Sequence, residues 1–168
     1  WKFIDNKPTL CSSATIERYT LQPKDGWKAE VDAQHLLDSF IQSVEHRLMA
    51  DVPVGIVLSG GLDSSLVAAV ANQAAEHANQ PVPECWTVAE NEENPDWIAA
   101  EQVASQFDLV HHQHILDEQV FDSTLPSLIW HGEDLDVTVA FFQPLFKTMA
   151  QRVKVGLCGQ GADELHAG

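Results

Sequence analysis

Two hydrophobic periods alternate along the chain from about residue 32 onward. Apolar residues in segment 32–50 recur at steps of three and four, which predicts an amphipathic helix with Asp32 as its N-cap and Pro53 beyond its end. Residues 54–58 then form a short, continuous run rich in β-branched side chains, which predicts a strand buried on both faces. The helical stripe consists of Leu36, Leu37, Phe40, Ile41, Val44 and Leu48.

The same alternation repeats further along the chain. Strands that alternate with helices predict a parallel, doubly wound α/β sheet with helices on both faces. Ligands of such sheets bind beyond the carboxyl ends of the strands. Residues 1–31 contain Pro8, Pro23 and Gly26 and predict an irregular extension, so we expect the domain to cover 32–168. The further predicted strands are 85–88, 109–115 and 153–158, and the further predicted helices are 64–76, 95–107, 121–130 and 137–150.

Composition narrows the class of protein. The 168 residues are 45% hydrophobic and 20% charged, which is typical of a globular domain, and the formal net charge is −16. Such an acidic surface repels nucleic acid and anionic membranes, so we expect neither as a partner. The chain starts with Trp1 instead of Met, and we expect a piece of a longer protein.

The cysteines indicate a reducing compartment. Cys11, Cys85 and Cys158 are odd in number and show no CxxC spacing, so we expect free thiols and a cytoplasmic protein. Cys85 and Cys158 lie in or beside apolar runs and are predicted to act as small core residues. The five tryptophans share no spacing and are likewise predicted to pack.

The first candidate site is the segment Ser-Gly-Gly-Leu-Asp-Ser-Ser at 59–65, between a predicted strand and a predicted helix. Its glycines permit positive φ, and the helix start offers free N–H groups and the positive end of a dipole. Asp63 can hold Mg²⁺ beside bound phosphates. The segment lacks the lysine of a Walker A loop, and a tight strand–helix turn with an N-capping side chain is the alternative.

Two further segments carry candidate chemistry. Glu133 and Asp136 stand three residues apart and would face one side of a helical turn, as a base or electrostatic group and a metal ligand; a solvated helix start is the alternative. After the last predicted strand, residues 159–164 read Gly-Gln-Gly-Ala-Asp-Glu. The glycines there permit close approach to a ligand, and Asp163 and Glu164 can orient polar groups around it.

These segments together resemble the asparagine synthetase family. Ser-Gly-Gly-x-Asp-Ser is the pyrophosphate loop of the N-type ATP pyrophosphatases, and residues 51–65 are similar to asparagine synthetases and β-lactam synthetase-like enzymes in particular. Residues 133–138 are similar to the family's Glu-x-x-Asp-Val-Thr, and 158–164 to its Ser-Gly-x-Gly-Ala-Asp-Glu, with Cys158 in place of Ser. The resemblance spans about residues 33–168 and implies an adenine nucleotide alpha hydrolase-like fold.

The resemblance also implies an activity. An ATP-dependent ligase domain would activate an aspartate-like carboxylate as an acyl-adenylate, release pyrophosphate, and form an amide with ammonia or an amine, which a preceding glutaminase domain could supply. It implies catalytic roles for Glu133, Asp163 and Glu164, and Mg²⁺ ligation by Asp63 and Asp136. The residues expected to bind ATP are Leu58, Ser59, Gly60, Gly61, Asp63, Ser64, Ser65, Val88, Gly132, Gly159 and Gly161.

Several alternatives stay open at this point. Residues 139–143 contain no Arg where the family carries Thr and Arg, so the acid can differ from aspartate. The family's synthetase domain continues past Gly168 and supplies a catalytic Lys. A non-catalytic nucleotide-binding module, a β-lactam synthetase-like enzyme or another pyrophosphate-loop ligase are rival hypotheses, and a homodimer is a further expectation. Leu58 and Val88 also suit plain core positions.

Three histidines in one predicted strand raise the question of a metal. In a strand only His112 and His114 share a face, and no Cys or carboxylate completes a zinc set at the usual spacing. A structural role for these two side chains and for His111 is therefore favoured.

Overall fold

The computed structural model describes residues 2–4, 7–9, 29–132 and 137–162. The chain divides into two compact units, Trp1–Ala33 and Gln34–Gly168. In the first unit β1 (Lys2–Ile4) and β2 (Lys7–Thr9) pair as antiparallel strands, although the sequence predicts irregular structure there. Strands of three residues are too short to show a hydrophobic period, so the pattern could not reveal them.

The second unit holds the predicted alternation of strands and helices. Its sheet is parallel, with the strand order β5-β4-β3-β6, which confirms the parallel α/β architecture. The elements that follow β2 along the chain are α1 (Ala29–Leu48), β3 (Val54–Val57), α2 (Leu62–Ala78), β4 (Glu84–Ala89), α3 (Pro95–Gln106), β5 (His111–Ile115), α4 (Glu118–Gly132), α5 (Val137–Met149) and β6 (Val155–Leu157). The helix α1 begins at Ala29, so Asp32 lies inside it and is not its N-cap as predicted.

Helices cover both faces of the sheet. Along β4, Cys85 is buried in a cluster with side chains of α2 and α3, whereas its neighbour Trp86 is buried with Leu145 and Met149 of α5. Neighbouring strand residues point to opposite faces, so these two clusters lie on opposite sides of the sheet. Burial of each large apolar side chain contributes about 1.5–3 kcal/mol to the free energy of unfolding. The two layers therefore fix which side chains of each strand point to which face of the sheet.

A glycine makes room for the largest buried side chain. A Cβ atom at Gly55 would lie 2.4 Å from the six-membered ring of Trp86, so only glycine lets this ring lie against β3. Trp86 is 1% exposed and stacks on His112 with 4.7 Å between ring centroids. The packing of α5 on the sheet therefore depends on residue 55 as well as on the apolar side chains.

The amino end of the sheet carries a saturated charge network. Glu84 accepts hydrogen bonds from Arg152 Nε at 2.9 Å and from Nη2 at 3.0 Å, and its Oε2 lies 2.7 Å from His112 Nε2. The Arg152 hydrogen bonds are the main cause that lowers the pKa of Glu84. Burial opposes them, and the His112 hydrogen bond and the charges of Arg152 and His112 add to the lowering. We call Glu84, His112 and Arg152 the amino-end network.

Several sequence expectations are wrong in detail. Leu36 and Leu37 are exposed, so the buried stripe of α1 is narrower than predicted. Cys158 is exposed, while Cys85 is buried as expected, and burial raises the pKa of its thiol to about 12. Trp130 is exposed as well, because it lies near the end of α4 and away from the sheet-facing clusters.

The strands β3, β5 and β6 are shorter than the runs that predict them, whereas β4 extends one residue further at each end. The turn before β5 includes Asp108 at φ 52°, and Leu109 donates its N–H to the carbonyl oxygen of Ala104 near the end of α3, so regular pairing begins only at His111.

In the described part of the chain, no helix combines the length and the apolar character needed to cross a membrane.

Candidate functional site

The candidate site begins where β3 ends. Leu58 follows the strand, is 1% exposed, and donates its N–H to the carbonyl oxygen of Trp86 at 2.8 Å. Its own carbonyl accepts a hydrogen bond from Thr87 Oγ1 at 2.6 Å. Because its N–H is occupied, Leu58 could meet a nucleotide base only through the second lone pair of its carbonyl oxygen.

Hydrogen bonds inside the loop fix the turn that follows. Ser59 N–H donates to Ser64 Oγ at 3.2 Å, and Ser64 Oγ donates to the Gly61 carbonyl at 3.2 Å. Since the single hydroxyl proton of Ser64 is committed to that carbonyl, Ser59 Oγ donates to Ser64 Oγ across 2.9 Å. Gly61 N–H reaches Ser59 Oγ at 3.4 Å. The serines therefore shape the loop, and two of its amides have internal acceptors.

Gly60 shows why the loop needs glycine. Its φ is 78°, and a Cβ atom there would lie 2.6 Å from the Asp96 carbonyl oxygen and 2.8 Å from the Ala100 nitrogen. The loop is thus pressed against the first turns of α3, which begins after Asn94 caps the amides of Asp96 and Trp97. Gly61 differs, because a Cβ atom there would meet only Ser59 Oγ, at 3.4 Å.

The start of α2 is open to an anion. Gly61 is its N-cap residue, and no side chain caps the helix. The amides of Leu62, Asp63 and Ser64 have no acceptor inside the helix, because the first N–H groups of any α-helix lack one. Together with the helix dipole they form the kind of site that binds phosphate oxygens.

The second glycine-rich turn packs directly on this helix start. A Cβ atom at Gly159 would lie 2.7 Å from both Asp63 Cβ and Ser64 N, so only glycine fits between the two turns. Gly161 has a φ of 96°, and Ala162 N–H closes the turn on the Gly159 carbonyl at 3.3 Å. Two motifs that are almost a hundred residues apart in sequence therefore form one surface at the carboxyl ends of β3 and β6.

A cavity of about 560 Å³ lies against this surface. Its polar part comes from the loop and the second turn, including Asp63, Ser64 and the exposed Cys158. Its apolar part comes from α5 and includes Phe142 and Phe146. Sequence reasoning missed this apolar wall, because the α5 side chains give an ordinary core-facing pattern that says nothing about a cavity.

The predicted nucleotide-binding residues divide into three groups. Ser59, Gly61, Asp63, Ser64, Gly159 and Gly161 line the cavity. Leu58, Gly60 and Ser65 are not part of the cavity lining; the Ser65 hydroxyl is buried and has no partner among the described residues. Val88 packs on the Trp86 cluster, and Gly132 ends α4. The other predicted site residues lie outside the described residues: Glu133, Asp136, Asp163 and Glu164.

The chemistry of the loop fits a magnesium ion. Asp63 lies in the first turn of α2 and lines the cavity beside the hydroxyls of Ser59 and Ser64. Mg²⁺ prefers oxygen ligands and is usually held by one or two carboxylates together with substrate phosphates. Asp63 would be one such ligand, and the second predicted carboxylate, Asp136, falls outside the described residues.

One hydrogen-bonded chain beneath the loop was not predicted. Thr87 Oγ1, which holds the Leu58 carbonyl, also lies 2.7 Å from His111 Nε2. His111 is half-buried; burial lowers its pKa, as does the neighbouring His112, while Glu101 raises it. The three neighbouring histidines are visible in the sequence, but their pattern suggested possible metal ligands and not a hydrogen bond that leads to the loop.

Solved structures with a similar fold support this arrangement. An NH3-dependent NAD synthetase from Campylobacter jejuni aligns with a TM-score of 0.52 and 17% identity, over 79% of this chain and 58% of that chain. A NAD+ synthetase from Burkholderia pseudomallei gives 0.51 and 17%, over 81% and 73%. At this identity the likeness shows the fold, which is adenine nucleotide alpha hydrolase-like.

Sequence relatives are more specific. A probable glutamine-hydrolysing asparagine synthetase from Dictyostelium discoideum is 37% identical over 147 residues, covering 78% of this chain and 26% of the relative. Asparagine synthetase 2 from Oryza sativa subsp. japonica is 38% identical over 146 residues, covering 79% and 24%. The chain thus spans about a quarter of the length of these relatives. Residues 35–168 match the family model described as asparagine synthase, and the chain belongs to that family.

Proposed function

We propose that this chain is the ATP-binding part of an amide-forming ligase, which activates a carboxylate as an acyl-adenylate and releases pyrophosphate. The observation that carries the proposal is the junction of the two glycine-rich turns. There the uncapped start of α2, Asp63 and Gly159 meet at the cavity. Family membership supports the same activity, because the relatives above are named asparagine synthetases.

The phosphate-binding role follows from which groups are left without partners. The protein carries a net charge of −16, so a polyphosphate needs local donors to overcome a repulsive surface. Amides at the start of α2 supply them, since their positions are fixed by the loop and need no rearrangement when charge develops on the leaving group. Asp63 and Asp136 would hold Mg²⁺, which when bound would neutralise phosphate charge.

The cavity suits a substrate that approaches the phosphates from the α5 side. Phosphates at the helix start and a carboxylate in the cavity would be held side by side, and this positioning is the main contribution that adenylation requires of the protein. The apolar wall of Phe142 and Phe146 favours a carboxylic acid that has an apolar portion. The residues proposed to act on the acyl group are Glu133, Asp163 and Glu164, with ammonia or an amine as the second substrate.

Nucleotide binding tests the first half of the proposal. Isothermal titration with ATP, AMP and pyrophosphate, each with and without Mg²⁺, should show binding of ATP and pyrophosphate that Mg²⁺ strengthens. Failure of both ligands to bind would overturn the proposal. An isotope-exchange assay between pyrophosphate and ATP, with a panel of amino acids, tests the second half. Exchange that requires one acid identifies the substrate.

A non-catalytic nucleotide-binding module is the alternative function. It shares the glycine-rich turns and the cavity, so the binding measurements alone would not separate it from a ligase. The two differ in exchange: a module binds ATP with Mg²⁺ but gives no carboxylate-dependent exchange when the full-length protein is assayed.

A further inference from the structure

A chain of three hydrogen-bonded groups crosses the sheet and ends at the root of the phosphate loop. It starts at His111 on β5, passes through Thr87 on β4, and reaches the carbonyl of Leu58 after β3. The strands β5, β4 and β3 are neighbours, so the chain links three strands in sequence. The residue after Leu58 is Ser59, the first residue of the loop.

Counting protons fixes the direction of both bonds. A carbonyl oxygen only accepts, so the hydroxyl proton of Thr87 must point to Leu58, 2.6 Å away. The hydroxyl has no second proton, and its oxygen must therefore accept from His111 Nε2 at 2.7 Å. His111 carries its proton on Nε2, and the alternative tautomer would place two lone pairs against each other.

The position of these hydrogen bonds indicates that they hold the backbone at the start of the loop. Leu58 is held on one side by its N–H bond to Trp86 and on the other by the Thr87 hydroxyl. Thr87 is 2% exposed, so a Leu58 carbonyl released from it would face the buried interior and not water. A change of the backbone at Leu58 would pass directly to the amides of Ser59 and Gly60.

We propose that His111 and Thr87 are positioning residues for the phosphate loop: His111 orients the Thr87 hydroxyl, and that hydroxyl holds the Leu58 carbonyl so that the loop amides and the start of α2 present their binding geometry. The inference rests on the proposed nucleotide-binding function. Neither side chain lines the cavity, so both act on the nucleotide through the backbone.

The neighbouring histidine provides a matched control. His112 is adjacent on the same strand and also partly buried, but its Nε2 lies against Glu84 in the amino-end network and its ring stacks on Trp86. It therefore points away from Thr87 and takes no part in the hydrogen bonds that link His111, Thr87 and the Leu58 carbonyl. A change at His112 should affect stability without affecting nucleotide affinity.

The test is ATP affinity of paired variants of the full chain, measured by titration with Mg²⁺. Thr87→Val removes the hydroxyl at nearly constant shape, and His111→Leu removes the Nε2 donor; each should weaken binding roughly threefold to tenfold. Thr87→Ser keeps a hydroxyl and His111→Gln keeps an N–H donor, so both should bind within about twofold of the parent. His112→Gln should bind like the parent.

The combination of Thr87→Val and His111→Leu tests whether the two act in series. If His111 works only through Thr87, the double variant binds no more weakly than Thr87→Val alone. Equal affinity of parent, Thr87→Val and His111→Leu would overturn the inference while leaving the proposed function intact. A parent chain that binds no nucleotide would overturn both.

A measurement on the unchanged protein keeps the inference testable if a variant does not fold. Nitrogen-15 spectra of the imidazole at neutral pH should show His111 as the Nε2–H tautomer. An Nε2 without a proton would contradict the hydrogen-bond direction and with it the positioning role.

Discussion

The two ends of the parallel sheet treat their polar groups in opposite ways. At the amino end, the carboxylate of Glu84 is fully engaged by Arg152 and His112. At the carboxyl end, the start of α2 has no side-chain cap, and Asp63 lines a cavity without an ion pair to any described residue. Amides and a carboxylate that have no partner in the described part of the protein but are accessible at a cavity can bind a ligand, so this contrast distinguishes a binding edge from a structural one.

Gly60→Ala should have the largest effect on stability and on ATP binding. The variant places a Cβ atom 2.6 Å from the Asp96 carbonyl and forces a positive φ on alanine. We expect the free energy of unfolding to fall by about 2 kcal/mol or more and ATP binding to be lost, because the loop must leave α3. Denaturant unfolding and ATP titration measure the two effects.

Gly61→Ala is the matched control for Gly60. Gly61 has a φ of −67°, and a Cβ atom there meets only one side-chain oxygen, at 3.4 Å. The variant should fold with a stability change of less than about 1 kcal/mol. If both variants lost stability equally, the contact between the loop and α3 would not be what requires glycine at position 60.

The glycines also show which features of the site can be predicted from the sequence. The loop at 59–65, its place between strand and helix, and the second turn at 159–161 were predicted correctly because each is local and carries a specific residue pattern. The fit of Gly159 against Asp63 could not be predicted, since it joins backbone segments that only the sheet order brings together.

Longer-range features were missed for the same reason. The pattern placed β3 and β4 correctly, but it could not show that Thr87 would bond to Leu58 across them. The amino-end network was also missed, because Glu84 and Arg152 are far apart in sequence and carry no motif. Hydrophobic period reveals which face a residue takes, whereas side-chain partners depend on the strand register.

Asp63→Asn should have the next largest effect, and it should change ATP binding at the carboxyl end of the sheet without changing stability. The variant keeps the shape of the side chain but removes the charge that would hold Mg²⁺. We expect Mg²⁺-dependent ATP affinity to fall by roughly an order of magnitude, about 1.4 kcal/mol, with the fold unchanged. Titration with and without Mg²⁺ checks this, because binding in the absence of the metal should change far less.

Asp51→Asn is the control for the removal of one negative charge. Asp51 is exposed and lines a second cavity at the amino end, with Glu84 and Arg152. Its removal changes the net charge by the same amount and should leave the metal dependence as in the parent. If both variants weakened binding alike, Asp63 would be acting through general electrostatics instead of as a ligand.

Glu84→Gln should affect stability and leave binding unchanged. The variant weakens the paired hydrogen bonds from Arg152, and we expect a loss of about 0.5–1 kcal/mol, since the Arg152 side chain is 56% exposed and water screens the pair. Glu45→Gln, which breaks a single 3.6 Å contact with His77, should cost less. Any loss of ATP affinity in Glu84→Gln would mean that the two ends of the sheet are coupled.

The pH dependence of stability should show the smallest effect, and it should separate His111 from Glu84. The folded protein lowers the pKa of His111 below its ordinary value of 6.5, mainly by burial, with His112 acting in the same direction and Glu101 opposing it. As the pH falls below about 6.5 the unfolded chain takes up the proton first, so the free energy of unfolding contributed by His111 decreases until the folded state is protonated too. For Glu84, whose pKa is lowered from 4.5, the corresponding loss begins only below about pH 4.5. Denaturant unfolding between pH 3 and pH 8 should therefore show the two losses at separate pH values: His111→Gln reduces the upper one, and Glu84→Gln reduces the lower one. If His111→Gln left the upper loss unchanged, burial beneath the loop would not control this histidine.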